Sequence, residues 1–197
     1  MHDPLIQKVI DAFTCLPGVG AKTAQRMTYH LLERERIGAQ AIVDHLQKAL
    51  NDIQHCQQCR TLSSQDVCGI CADSRRDISS VCVVETPADV LSIEQSGVFN
   101  GRYFVLLGRL SPLDGMGPNE IGIHVLQAQL AQGQINELIL ATGATVEGEA
   151  TAHFIADLAK AAGVKTSRIA QGVPMGGDLE YVDAATLTHA FSGRHEL

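Results

Sequence analysis

Residues 56 to 71 read CQQCRTLSSQDVCGIC and contain four of the six cysteines of the chain. The four form two Cys-x-x-Cys pairs separated by eight residues, a spacing that lets each pair present two thiolates to one metal ion. The segment between the pairs is polar and too short to bury a core of its own, so a metal ion would hold it together where packing cannot. An all-sulfur tetrahedral set suits zinc or iron, and nothing nearby indicates an iron–sulfur cluster. We therefore predict a structural zinc site at Cys56, Cys59, Cys68 and Cys71.

A secreted module with two disulfides is the alternative explanation of the four cysteines. The amino terminus, Met1 to Pro4, lacks the basic and apolar regions of a signal peptide. No stretch approaches the roughly 20 apolar residues of a membrane span. We therefore expect reduced thiols, a cytoplasmic location and no membrane partner.

The composition is that of a globular chain with an uneven distribution of charge. Its 197 residues, 45% of them hydrophobic, can form one ordinary domain or two small ones. The net charge of −7 argues at first against nucleic acid as a partner. However, residues 1–62 carry seven Lys or Arg against six Asp or Glu, whereas residues 81–197 carry six against thirteen. The acidic excess therefore belongs to the carboxyl-terminal part.

The pattern of apolar residues changes once along the chain. Helical spacing predicts three helices in the first third: one over roughly the first twelve residues, one directly after residue 20, and one from about 39 to 53. From Val81 onward, short apolar runs alternate with helical stretches, which predicts an α/β fold with a mostly parallel sheet and flanking helices. The predicted strands are 81–84, 103–107, 137–141 and 165–170, and the predicted helices are 87–95, 119–132, 149–162 and 184–192.

The turn from Leu16 to Gly20 reads LPGVG and separates the first two helices. Gly18 and Gly20 can adopt backbone angles denied to other residues and let a phosphate approach closely, while amides of the following helix face the anion. Lys22 and Arg26 lie four residues apart, so they project from one face beside the turn. We predict phosphate contacts by Gly18, Gly20, Lys22 and Arg26. The alternative is an ordinary helix corner with solvated charges.

Three acids follow predicted strands. Glu85 ends the first strand, and Glu147 and Glu149 come just after the third. Because the carboxyl ends of parallel strands meet at one crevice, three carboxylates there would suit a hard divalent ion. The alternative is that Glu147 and Glu149 stabilise a helix amino terminus and Glu85 caps a turn.

Other reactive side chains have simpler interpretations. Cys15 and Cys82 are expected to be small buried residues and not nucleophiles. His55 abuts the cysteine module, but four sulfurs already complete a tetrahedral site, so we expect it to be a neighbour. No P-loop spacing is present in the glycine turn.

Several segments carry a resemblance to a known family. LPGVGAKTAQR, residues 16–26, resembles the helix-hairpin-helix of the RecR family of bacterial recombination mediators, and the four-cysteine module resembles that family's zinc finger. Four later segments resemble further RecR signatures in the same order. They are VCVVETPAD at 81–89, RYFVLLGRLSPLDGMGP at 102–118, ILATGATVEGEATA at 139–152 and GVPMGGDLEYVD at 172–183.

The resemblance implies a domain organisation and a function. It implies a helix-hairpin-helix DNA-binding domain at 1–54, a four-cysteine zinc finger at 55–78, a Toprim domain at 79–174, and a tail at 175–197 that packs at a subunit interface. It also implies a mediator, not an enzyme, that acts with RecO, and in some settings RecF, to help load RecA onto single-strand gaps. Such proteins bind single-stranded, gapped and double-stranded DNA without sequence specificity, as clamp-like dimers or tetramers.

Glu85, Glu147 and Glu149 match the acidic site of Toprim domains, which implies binding of magnesium or of a protein partner. The usual Asp-x-Asp pair is Glu147-Gly148-Glu149 here, and Gly143-Ala144 replaces the Asn-Pro common in the family. Two other function classes remain open. One is a magnesium-dependent phosphodiesterase or nucleotidyl transferase that uses the three acids, and the other is a zinc-dependent scaffold without DNA contact.

Overall fold

The described part of the amino-terminal unit, which ends at Ile53, contains three helices. The computed structural model describes residues 3–170 and 172–194. The helices are α1 Pro4–Phe13, α2 Ala21–Glu33 and α3 Arg36–Asp52. The three predicted helices are confirmed, although α3 begins earlier than expected because the Glu35 side chain caps it by accepting a hydrogen bond from the Gly38 amide (3.1 Å).

The buried part of this unit is small. Ile10 of α1 and Ala24 and Thr28 of α2 are buried, and the Thr28 hydroxyl donates to the carbonyl oxygen of Ala24 (2.9 Å). Met27, which helical spacing places on the same stripe, is 38% exposed. No residue of α3 is buried. Its exposed apolar side chains are Ile37, Ile42, Val43, Leu46 and Leu50.

The carboxyl-terminal unit begins at Gln54 and contains two sheets. Its strands are β1 Gln54–His55, β2 Leu62–Ser63, β3 Asp77–Val84, β4 Gly101–Val105, β5 Glu137–Ala141 and β6 Lys165–Arg168. Its α-helices are α4 Gly69–Ala72, α5 Pro87–Ser96, α6 Ile123–Leu130, α7 Val146–Ala161 and α8 Ala184–Ser192. Strands β1 and β2 pair antiparallel, and the other four form a parallel sheet in the order β4-β3-β5-β6. The predicted α/β architecture is confirmed.

Strand β3 shows why the predicted strands read as continuous apolar runs. Val83 packs in one core cluster with Leu126 of α6 and Ile155 of α7. The next residue, Val84, packs on the opposite face with Val90 of α5. Since helices cover both faces of the sheet, alternation between apolar and polar residues is lost.

Two helix starts differ from the prediction for local reasons. Gly122 adopts a φ of 75°, so α6 begins at Ile123 and not near 119. Helix α7 begins at Val146, three residues early, because the Thr145 hydroxyl accepts a hydrogen bond from the Gly148 amide (3.1 Å). Among the described residues, no helix is long and apolar enough to cross a membrane.

The two cysteines outside the four-cysteine module differ in burial. Cys82 is buried in β3, and burial raises the pKa of its thiol to about 12. Cys15 is exposed, so the expectation that it is buried is wrong. It follows the end of α1 in a surface turn.

Candidate metal centre and nucleic-acid interface

The four-cysteine module gathers its sulfur atoms into one buried cluster. The sulfurs of Cys56, Cys59, Cys68 and Cys71 all lie within 4.8 Å of one another. The distance from Cys59 Sγ to Cys68 Sγ is 3.5 Å, close to the spacing of about 3.8 Å that tetrahedral zinc with Zn–S bonds of about 2.3 Å requires. All four are free thiols and form no disulfide. Their number, spacing and burial fit a structural zinc ion with no open coordination position.

Backbone amides and crowding change the acidity of these thiols. Burial raises the pKa of Cys56, but amide hydrogen bonds, that of Cys68 foremost (3.3 Å), outweigh it and lower this pKa to about 7. A hydrogen bond to Cys71, and then burial, raise the pKa of Cys59. Four thiolates this close repel one another, so a central cation is what makes the fully deprotonated set favourable.

The first cysteine pair is attached to the edge of the parallel sheet. The Val105 amide at the end of β4 donates a hydrogen bond to the carbonyl oxygen of Cys59 (2.8 Å). On the next residue back, the carbonyl oxygen of Gln58 accepts from the Gln129 side-chain amide of α6 (2.6 Å). The zinc module therefore covers part of an edge strand that would otherwise expose unpaired groups.

Arg60, directly after the second cysteine, contacts the segment that follows β4. Its guanidinium donates to the carbonyl oxygens of Leu106 (3.2 Å) and Glu120 (3.3 Å), and also to that of Ile121. It lies over the Phe104 ring, 5.6 Å from the centroid. Burial lowers its pKa. Its backbone has a φ of 64°, an unfavourable angle for a residue with a side chain, which these contacts hold in place.

Gly122 makes room for this guanidinium. A Cβ atom at Gly122 would lie 1.9 Å from Nη1 of Arg60. The φ of 75° at the same residue also favours glycine. Sequence reasoning missed the role of Arg60, because its partners lie 46 to 61 residues away.

The glycine hairpin presents an open surface beside two exposed cations. Space is free around the Cα atoms of Gly18 and Gly20, since an added Cβ would meet nothing within 4 Å. Gly20 caps α2 without a side chain, which leaves first-turn amides free for a ligand. The side chains of Lys22 and Arg26 are exposed and make no hydrogen bond or ion pair with any described residue.

The three acids lie near the carboxyl ends of the strands, but two of them face arginines. Glu85 Oε1 accepts from the Gly143 amide (2.8 Å), and its Oε2 lies 3.7 Å from Nη1 of Arg109. Arg168 donates to Glu149. Within the described part of the chain, the four cysteines are the only set of three or more side chains arranged to hold a metal ion.

Glu147 differs from the other two acids. It lies half-buried in the first turn of α7, and its side chain makes no hydrogen bond or ion pair with the described residues.

Arg109 and Arg168 were missed by sequence reasoning, although both follow or end a strand as the acids do. Gly143 donates its amide to Glu85 and accepts from Arg168 Nη2 at its carbonyl oxygen (3.3 Å), and both are backbone contacts that do not require glycine.

Known proteins resemble this chain over its full length. A protein of Saccharophagus degradans named Recombination protein RecR is 58% identical over 197 residues, which is all of both chains. A protein of the same name from Alcanivorax borkumensis is 58% identical over 98% of this chain and 96% of its own length. The chain belongs to the RecR family. The RecR protein of Xylella fastidiosa is 55% identical over the full length of both chains.

Family sequence models divide the RecR match into four segments. They are the RecR helix-hairpin-helix at 6–50, the RecR four-cysteine zinc finger domain at 53–73, the Toprim domain at 79–170 and the RecR C-terminal segment at 172–195. The resemblance read from the sequence and the structural zinc are thereby confirmed.

The close approach of Arg60 to Gly122 leads to a prediction about stability. Gly122→Ala should destabilise the carboxyl-terminal unit more than Gly133→Ala, because Gly133 has a similar φ of 68° but open space around it. Gly133→Ala should cost about 1 kcal/mol, the penalty of a left-handed alanine, and Gly122→Ala should cost more because Arg60 must leave its carbonyl partners. Urea unfolding measures both.

When Arg60→Ala is already present, Gly122→Ala and Gly133→Ala should lower the free energy of unfolding by similar amounts. Zinc content, measured by elemental analysis, should remain at one ion per chain in all variants, which separates loss of docking from loss of metal. Equal destabilisation in the original background would contradict the role assigned to Arg60.

Proposed function

We propose that this chain is a DNA-binding recombination mediator. The proposal holds that it acts with RecO, and in some settings RecF, to help load RecA onto single-strand gaps. The observation that carries it is the pair Lys22 and Arg26, unpaired and exposed beside the open glycine turn at the amino terminus of α2. The names of the full-length relatives, Recombination protein RecR, support the same role.

DNA contact in this proposal is independent of sequence. Amides and two cations at one helix end recognise phosphate, which carries no base information. The domain division that we propose is helix-hairpin-helix at 1–54, zinc finger at 55–78, Toprim domain at 79–174 and an interface tail at 175–197. A cytoplasmic location fits four cysteines held as reduced zinc ligands.

Assembly of several copies is part of the proposal. The apolar face of α3 is exposed, with Ile37 at 86% and Leu50 at 72%, and the tail exposes Tyr181 at 81% and Phe191 at 69%. Such surfaces are typical of subunit interfaces. A dimer or tetramer would also combine several weak phosphate contacts on one DNA strand.

The acidic strand ends are proposed as a surface for a basic partner, RecO. Glu147 has a free carboxylate there, whereas Glu85 and Glu149 are held by arginines. Those arginines favour binding over catalysis, because a magnesium site would have to displace a cation from two of its three ligands. We therefore propose that the protein acts without catalysing a reaction.

The phosphate site is tested by DNA binding. Lys22→Ala with Arg26→Ala should weaken binding to single-stranded and gapped DNA at least about tenfold and make its salt dependence shallower, because phosphate contacts are lost. Fluorescence anisotropy at several salt concentrations measures both. The control is Lys8→Ala with Lys48→Ala, which removes the same charge from exposed sites on α1 and α3. If both double variants lose the same DNA affinity, the effect is one of net charge and not of the hairpin. If neither loses affinity, the scaffold alternative is favoured.

The exposed face of α3 is tested by the molar mass in solution. Leu46→Asp with Leu50→Asp should lower the mass measured by sedimentation equilibrium, because charges would be buried at the α3 interface. Gln40→Asp with Gln47→Asp places the same charges at polar positions of α3 and should leave the mass unchanged. A wild-type mass equal to the 21.1 kDa of one chain would contradict assembly.

The acidic surface is tested by RecO binding. Glu147→Lys should weaken it at least about tenfold in calorimetry, because a basic partner loses an attraction and meets a like charge. Asp157→Lys, the same change at an exposed position of α7 further from the strand ends, should have a small effect. RecO binding that survives Glu147→Lys contradicts this surface. Magnesium-dependent DNA cleavage that Glu85→Gln abolishes would instead support the phosphodiesterase alternative.

A further inference from the structure

A second concave site lies at the opposite end of the parallel sheet from the acids. It is a cavity of about 340 Å³ between the zinc module, the sheet and α6. Arg102, the second residue of β4, and Val81, its neighbour across β3, place it toward the amino-terminal ends of the strands. Gln57 and Gln58 of the first cysteine pair form its other wall.

The lining combines three kinds of surface. Five glutamines, two from the zinc module and three from α6 and the loop after it, offer side-chain amides. Ile78, Val81 and Ile135 contribute an apolar floor, the last two of them buried. Arg102 is the only charged residue among those that line the cavity.

Arg102 has hydrogen-bonding capacity that the described residues do not use. Its Nε is buried and finds no hydrogen-bond partner among them, and its Nη1 donates only a long bond to Gln58 Oε1 (3.4 Å). By contrast, Arg76 donates to Glu94 (2.8 Å) and to the Gly101 carbonyl oxygen (3.2 Å). Arg168 also has an unpartnered Nε, but its Nη1 is bonded to Glu149. The buried Nε is closed to a ligand, but Nη2 makes no hydrogen bond with the described residues and Nη1 makes only the long one, so an acceptor bound in the cavity would use these Nη donors.

We propose that this cavity binds a peptide segment that presents a carboxylate beside an apolar side chain. The planar guanidinium of Arg102 matches a carboxylate through two parallel N–H bonds. The glutamine amides can donate to and accept from peptide groups, while Ile78, Val81 and Ile135 receive the apolar side chain. The volume lies within the range of ligand pockets, about 300–1,000 Å³.

The charge of the lining favours a carboxylate over a nucleotide. Phosphate carries up to two charges and is usually held by several cations or by a helix amino terminus. The cavity lining has one cation, and Val125, which lines it from the first turn of α6, already donates its amide to the Gly122 carbonyl oxygen (3.0 Å). A peptide carboxylate, with a single charge, is matched by Arg102 alone.

The site also gives the zinc module a role beyond stability. Gln57 and Gln58 lie between the zinc ligands Cys56 and Cys59, and the ligand Cys71 lines the cavity itself. The metal therefore fixes one wall of the site. This proposal concerns a surface separate from the glycine hairpin and from the acids, so it does not depend on the function proposed above.

The test is nuclear magnetic resonance of the full-length zinc-bound chain with labelled isoleucine methyl groups. Ile78 and Ile135 report from inside the cavity, whereas Ile10 of the amino-terminal unit serves as an internal reference. The probes are N-acetyl-leucine, which carries a terminal carboxylate, acetyl-Leu-Glu-amide, which carries a side-chain carboxylate, neutral N-acetyl-leucinamide, and dAMP. Each is added up to about 20 mM, where fragments of this size bind.

We expect one or both carboxylate probes to shift the methyl resonances of Ile78 and Ile135 in a saturable way. The probe that binds more tightly shows whether the carboxylate is terminal or belongs to a side chain. N-acetyl-leucinamide should bind at least about tenfold more weakly. Arg102→Gln should weaken the carboxylate probes by a similar factor, whereas Arg75→Gln, an exposed arginine outside the cavity, should change nothing. Should Arg102→Gln lose zinc or fold, Ala128→Leu, which fills the cavity from α6, must abolish the shifts instead.

Three outcomes overturn the proposal. The first is the absence of any saturable shift at Ile78 and Ile135 with either carboxylate. The second is equal binding of N-acetyl-leucinamide, which would show that the charge is irrelevant. The third is tighter binding of dAMP, which would make the cavity a nucleotide site.

Discussion

The attachment of the zinc module to the sheet depends on two consecutive residues, Cys59 and Arg60. The metal fixes Cys59, so its carbonyl oxygen lies where the amide at the end of β4 requires an acceptor. Arg60 then places a cation among the carbonyl oxygens of a segment far along the chain. A module too short for its own core thus shares the core of its neighbour, and its four sulfurs pack in the cluster that contains Val84 and Val105.

The segment anchored by Arg60 also shapes the acidic strand ends. It runs from Leu106 to Gly122 and includes Arg109, the cation that faces Glu85. The amide of Leu110 in the same segment donates to the Thr151 hydroxyl of α7 (2.9 Å), on the helix that begins with the other acids. Continuous contacts therefore link the zinc module to the acidic strand ends.

The sequence predicted those features that depend on residues close together in the chain. Cysteine spacing identified the zinc ligands, and apolar runs identified four strands because burial on both faces leaves a continuous apolar pattern. The roles of Arg60, Arg109 and Arg168 could not be read in this way, since their partners are distant in sequence. The apolar residues of α3 show a different difficulty. Their helical spacing predicts a buried face, but the spacing is the same whether residues of this chain or of another chain cover it.

The distribution of ion pairs explains how the proposed phosphate site can belong to a chain with a net charge of −7. Every ion pair between described residues lies in the carboxyl-terminal unit, where acids neutralise Arg75, Arg76, Arg109, Lys165 and Arg168. The described cations of the amino-terminal unit have no such partners, so their charge remains available to a ligand. Because ionic screening reduces the repulsion from acids more than about 10 Å away, local geometry at α2 outweighs the total charge. The acidity of the chain is therefore compatible with the phosphate contacts proposed for the hairpin.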